Sequence, residues 1–264
     1  MRRFNVTGLC VANKHYMVDI SGKLEQIGEM IDNGDYFTIN RARQYGKTTT
    51  LSLLRRTLFR EYTVASISFE GLGDESFATP EAFCHAFMEL VRDSLRFTDA
   101  SGEYISGWYD EQITTFQKLN GHITGLCRDK KVLLLIDEVD KTSNNRVFLH
   151  FLGMLRNKYL KREDGMDYTF HSVILAGVYD VRNIKLKMRF KGAYSPLPEE
   201  SRLYNSPWNI AVNFTVDMSF SPAEIATMLA QYESDHHTGM DVASISEEIH
   251  NYTDGYPFLG MKNK

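Results

Sequence analysis

Tyr36-Phe37-Thr38-Ile39-Asn40-Arg41-Ala42-Arg43-Gln44-Tyr45-Gly46-Lys47-Thr48-Thr49-Thr50-Leu51 is the stretch on which the fold turns. Its first five residues read as a short strand. From Lys47 to about residue 60 the apolar residues Leu51, Leu54 and Leu58 recur at helical spacing. Between strand and helix lies Arg41 to Gly46, ending in Gly-Lys-Thr, and this is the context a phosphate-binding loop requires. Successive backbone N–H groups turn inward there to surround phosphate oxygens. The new helix adds its unpaired N–H groups and the positive end of its dipole. Gly46 allows the backbone to approach a ligand without a Cβ in the way. Lys47 supplies a compact charge for the terminal phosphates, and Thr48 a hydroxyl for Mg2+, which prefers hard oxygen ligands. The loop departs from Gly-x-x-x-x-Gly-Lys-Thr at its first position, where Arg41 replaces glycine. Taken alone, Gly-Lys-Thr also fits a helix that merely begins there.

Working outward, the second signal is Val132-Leu133-Leu134-Leu135-Ile136, followed by Asp137-Glu138. A run that is apolar on both faces and of strand length belongs in the middle of a covered parallel sheet. An acidic residue at its carboxyl end lies where open α/β sheets bind ligands. Beside a phosphate loop, Asp137 reads as the Mg2+ carboxylate and Glu138 as the general base that polarises the attacking water. The alternative is an acidic pair that simply ends a strand at the surface. Asp140 reads as a loop charge or as a support behind the metal site.

The rest of the chain alternates strands and helices, the pattern of an α/β protein with a parallel sheet. Residues 64–69, 171–177 and 209–216 read as further strands. Thr79-Pro80 opens a helix, with Thr79 at the cap and Pro80 where its missing N–H is harmless. Helices are also expected over residues 108–128 and 147–159. Ser221-Pro222-Ala223-Glu224 has the form of a capping box. Beyond it the spacing of Ile225, Met228 and Leu229, then Val242, Ile245 and Ile249, is helical. The expected domains are a core over residues 1–217 and a helical lid over 218–264, with a tail that reads as cut short.

The sequence has 264 residues, a net charge of −4 and three cysteines. The odd, unmotivated cysteine count fits reduced thiols and a cytoplasmic protein. The amino terminus lacks a signal peptide's apolar region and cleavage site, and no apolar run approaches the ~20 residues of a membrane span. The charge excludes a polycation, so contact with nucleic acid needs a local patch. Arg182, Lys185, Lys187, Arg189 and Lys191 form one such run within residues 182–191. It reads first as a solvated loop, with nucleic-acid contact as the alternative, or Arg182 acting on the γ-phosphate. Tyr179 and Asp180 are sensor candidates. Tyr16 reads as core, with Tyr16 and Asp19 near a base pocket as the alternative.

The residues 36–51 quoted above resemble the phosphate loop of the bacterial AAA-ATPase-like family, P-loop proteins close to archaeal-type and STAND ATPases, where arginine is common at the first loop position. Residues 15–19, 135–138, 174–177, 209–220 and 253–259 resemble the same family. The resemblance implies ATP and Mg2+ as ligands and a three-layer α/β/α core. Its five-stranded sheet would have the order 5-1-4-3-2, with a sensor strand between the loop strand and the Asp137 strand. The nucleotide contacts it implies run from Arg41 through Thr49. Gly255-Tyr256-Pro257 is similar to the Gly-x-Pro motif, whose proline closes over the base; a helix stop followed by a helix start is the plainer reading. The implied activity is an ATP-hydrolysing switch that works with a protein partner or with itself. A nucleotide-binding module with vestigial hydrolysis and a nucleic-acid-associated ATPase are the rivals.

Overall fold

The computed structural model describes residues 2–98, 100–142, 145–178 and 207–257. Four parallel strands form one sheet: β1 (Tyr36–Asn40), β2 (Thr63–Ser68), β3 (Val132–Asp137) and β4 (Ser172–Gly177), in the order β1-β4-β3-β2. The order of these four agrees with the sequence reading, and β4 sits between β1 and β3. Eight α-helices accompany them among the described residues: α1 (Ser21–Asp32), α2 (Lys47–Leu58), α3 (Pro80–Leu95), α4 (Gly102–Ser106), α5 (Phe116–Cys127), α6 (Arg146–Glu163), α7 (Pro222–His236) and α8 (Val242–Thr253).

The chain divides into two compact units. One contains residues 34–40 and 57–214, and with them the whole sheet. Every residue of β3 and β4 is buried, as a covered parallel sheet demands. Val132, Leu134 and Ile136 share a core with Phe83, Phe87 and Val91 of α3, Ile123 of α5, and Phe148 and Phe151 of α6. Lys158 of α6 is fully buried in this unit, and its ammonium lies 2.9 Å from Asp167 and 2.7 Å from the Thr124 hydroxyl. Burial pushes the Lys158 ammonium below its ordinary pKa. Burial opposes ionisation of Asp167 too, but hydrogen bonds from Thr124 and Lys158 outweigh it and hold that carboxyl low.

The other unit contains residues 1–33, 41–56 and 215–264. Tyr16, Val18, Ile20 and Met228 form its core, flanked by Phe4, Leu24, Leu53, Phe220 and Tyr232. The α7 helix ties down the amino-terminal segment: Gln231 donates to the Met17 carbonyl (2.7 Å), and Thr227 accepts from the Asp19 N–H (2.8 Å). The capping box at Ser221 is complete, with Ser221 accepting from the Glu224 N–H and Glu224 from the Ser221 N–H.

Two expectations are corrected. Among the described residues the sheet has four strands, and residues 209–216 do not form a fifth. They make a single parallel bridge, Phe37 with Val212, on the free side of β1. Two ring stacks hold this segment where a ladder was expected: Trp208 on Tyr36 (5.8 Å between centroids) and Phe214 on Phe37 (5.8 Å). Asparagines at 209 and 213, poor strand formers, interrupt the run. The helix expected over residues 108–128 is α5 alone, preceded by the separate five-residue α4. The Thr115 hydroxyl accepts from the Lys118 N–H and fixes the later start.

Candidate functional site

The loop joining β1 to α2 is built on alternating backbone geometry. Gln44 has φ +64° and Gly46 φ +74°, with a residue of ordinary φ between them. Alternation of this kind turns successive N–H groups toward one side, the geometry of an anion-binding nest. Gln44 is not glycine and adopts this conformation at a cost of about 1 kcal/mol or more. A Cβ added at Gly46 would meet nothing within 4 Å, so backbone conformation, not crowding by protein, selects glycine there. The Thr50 N–H donates to the Gly46 carbonyl (2.8 Å), continuing the helix from the loop.

Lys47 is 8% exposed, and its ammonium donates to the carbonyls of Arg41 (2.9 Å) and Ala42 (3.0 Å). The charge is thereby folded back over its own loop. Arg41, at the position where glycine is usual, sends its guanidinium to the Val216 carbonyl (3.0 Å). The neighbouring Asp217 carboxyl is held below its ordinary pKa by the Ser219 N–H, against burial, with Lys23 and Arg41 adding to the effect. Ala42, Arg43 and Thr48 are exposed. Thr49 turns to the amino-terminal segment, and its hydroxyl accepts from the Cys10 N–H (3.3 Å).

Beside the loop opens a cavity of about 250 Å³. Gln44, Tyr45, Gly46 and Thr49 form its loop wall. A second wall comes from residues 5–8, Cys10, Met17, Val18 and Ile20, and Thr50, Leu53, Met218, Phe220 and Pro257 also line it. The lining is mostly apolar. Lys23, also on the wall, is engaged by Glu224 (2.8 Å) and the Ser219 carbonyl (3.0 Å). The amino-terminal wall from Asn5 to Cys10 escaped the sequence reading, because no motif marks it. Tyr16 is a core residue as expected, its ring tilted against Phe4 and edge-on to Tyr232. Asp19 is exposed, and its carboxylate takes the Ser21 N–H.

In the sheet unit, Asp137 ends β3 and is 7% exposed. Its carboxylate accepts the N–H of Glu138 (2.9 Å). Glu138 is half-buried with φ +56°, a strained conformation for a residue with a Cβ and one that concentrates at functional sites. The register pairs Ser68 with Asp137 and Asn40 with Gly177, so all four strands end at one edge of the sheet. This is the carboxyl edge, where α/β sheets bind ligands. Asp140 is fixed to that edge by the Val178 N–H, which donates to its carboxylate (2.5 Å). Gly177 leaves the room: a Cβ there would lie 2.8 Å from the Asp140 carboxylate. Tyr179, Asp180, Arg182 and the basic run through Lys191 lie outside the described residues.

A parallel β1-β4-β3-β2 sheet, with a nest-like loop leaving β1 and an acidic pair ending β3, defines the class of P-loop nucleoside triphosphatase folds. The chain belongs to the AAA-like domain family, which matches residues 9–263. In fold it is similar to a Walker-type ATPase of Pyrococcus abyssi, with a TM-score of 0.62 and 14% identity over 98% of this chain and 69% of that one. It is also similar to the ORC2 protein of Aeropyrum pernix, solved as ADPNP–ADP complexes, with a TM-score of 0.53 and 14% identity over 98% of this chain and 63% of that one. At this identity the likeness speaks for the fold alone. None of the curated proteins compared matches the chain. No helix among the described residues is long and apolar enough to cross a membrane.

Proposed function

We propose that the chain binds ATP with Mg2+ and hydrolyses it to drive a conformational switch. The observation that carries this reading is the loop itself: positive φ at Gln44 and Gly46, immediately before the helix that starts at Lys47, on the wall of an apolar cavity. The N–H groups from Gln44 to Thr48 would hold the β- and γ-phosphates. Lys47 would leave the Arg41 and Ala42 carbonyls for the terminal phosphate, exchanging neutral acceptors for a charged one. The base would occupy the cavity, whose apolar walls and Pro257 suit a flat heterocycle.

Thr48 and Asp137 would hold Mg2+, and their hydroxyl and carboxylate are the hard oxygen donors this ion takes together with phosphates and water. When bound, the ion neutralises charge on the β- and γ-phosphate oxygens. Glu138 would orient the attacking water and accept its proton. Support also comes from the Aeropyrum pernix ORC2 protein, similar in fold and solved with adenine nucleotides.

The test is phosphate release by the purified chain with Mg-ATP, wild type beside Glu138→Gln and Lys47→Ala. Turnover should fall by about 10²–10⁴-fold in Glu138→Gln with ATP binding retained. Lys47→Ala should lose binding. Wild-type turnover in Glu138→Gln would remove that residue from its role, and unchanged ATP affinity in Lys47→Ala would remove the phosphate site.

A further inference from the structure

We propose that Tyr256 is a positioning residue that sets the phosphate loop in its ligand-ready shape, an inference that rests on the nucleotide reading above. The Tyr256 hydroxyl donates to the carbonyl of Arg43 at 2.6 Å, across 213 residues of sequence. Its ring lies 4.7 Å from that of Tyr45, centroid to centroid. A single side chain therefore grips the loop twice, once by its backbone and once by a loop ring.

The consequence follows from the planarity of the peptide unit. The carbonyl of Arg43 and the N–H of Gln44 belong to one rigid plane and point in opposite directions. A donor that holds the carbonyl on one side holds the N–H on the other. Gln44 lines the cavity wall and carries the first positive φ of the loop, a conformation that side-chain-bearing residues keep only when their surroundings impose it. The hydroxyl of Tyr256 is such an imposition. Without it, the peptide between Arg43 and Gln44 is free to rotate toward ordinary φ, and an N–H leaves the nest.

Tyr256 is itself held firmly. The Gly255 carbonyl accepts the Phe220 N–H at 2.8 Å, and Gly255 has φ +67°. The Tyr256 N–H donates to the Thr253 carbonyl (2.9 Å). The next residue, Pro257, is buried and lines the cavity. Gly255-Tyr256-Pro257 thus joins the loop and the cavity wall in three consecutive residues, so loop shape and cavity closure change together.

The experiment is Tyr256→Phe, which keeps the ring on Tyr45 and removes only the hydroxyl. Loss of one hydrogen bond predicts about a fivefold weaker Kd for Mg-ATP by calorimetry. kcat at saturating ATP should stay within about twofold, because the missing bond acts before chemistry. Amide exchange in the apo protein should quicken at residues 44–46, a local signature that general destabilisation does not give. Equal affinity and equal exchange in Tyr256→Phe overturn this inference alone. A wild-type chain that binds no Mg-ATP overturns the nucleotide reading and this inference with it.

Discussion

Replacing Gly255 by alanine should damage the cavity that Pro257 lines while leaving the sheet unit intact. An alanine Cβ at this position would lie 2.3 Å from the Phe220 carbonyl oxygen and 2.9 Å from its nitrogen. Both are backbone atoms, so no side-chain rotation relieves the contact. Moving the oxygen to a tolerable separation lengthens or breaks the 2.8 Å bond from the Phe220 N–H to the Gly255 carbonyl, a loss of about 1 kcal/mol. The positive φ of +67° adds a further ~1 kcal/mol for any residue with a Cβ. Together these give about 2 kcal/mol, before counting the displacement of Pro257 from the cavity wall. Calorimetric titration with Mg-ATP should show affinity reduced at least tenfold. Urea unfolding followed by tryptophan fluorescence should retain the transition of the sheet unit, where both tryptophans, Trp108 and Trp208, are buried. A Gly255→Ala protein with wild-type affinity and stability would refute the assignment of this contact.

Three further outcomes are expected. Asp167→Ala strands the buried Lys158 ammonium on Asn120 and Thr124 and should cost about 3 kcal/mol in urea unfolding, whereas Lys158→Met with Asp167→Ala should recover most of it. Because burial lowers the Lys158 pKa from 10.5, the unfolded chain binds more protons between the folded value and 10.5, so stability rises with pH there and the single-variant deficit should narrow. A deficit that does not change with pH would contradict this. The Asp167 carboxyl titrates below 3.8 in the fold, so its contribution is present above that value and disappears as pH falls through the folded pKa; acid unfolding of Asp167→Asn should lack this part of the slope. Gln44→Gly relieves a positive φ and should keep Mg-ATP affinity within about threefold, whereas Gln44→Val should lose tenfold or more.

What could be read from the sequence was what local chemistry dictates. The Val132–Ile136 run announced a central strand because both of its faces are apolar, and every one of those residues is buried. Thr79-Pro80 and Ser221 announced helix starts because their hydroxyls accept N–H groups three residues on. The α1 helix went unread: it has no side-chain cap, contains Gly22 and Gly28, and fully buries only Ile27 and Ile31. The fifth strand was overread because Ile210, Val212, Phe214 and Val216 alternate as a strand should, while Trp208 and Phe214 bind β1 through rings. Gly46-Lys47-Thr48 before α2 and Asp137-Glu138 after the central strand were legible as sequence motifs. The positive φ of Gln44, the turn of Arg41 to Val216 and the grip of Tyr256 on Arg43 were not, since each depends on residues distant in sequence or on backbone shape.

The most direct test is a crystal structure of the chain with Mg2+ and a non-hydrolysable ATP analogue. Phosphate oxygens should lie within hydrogen-bond distance of the N–H groups of residues 44–48, with the Lys47 ammonium on the terminal phosphate and the base in the cavity beside Pro257. Mg2+ should lie about 2.1 Å from the Thr48 hydroxyl, with Asp137 bound to it directly or through one water. A nucleotide seated elsewhere, or an ion bound without Thr48 and Asp137, would contradict it.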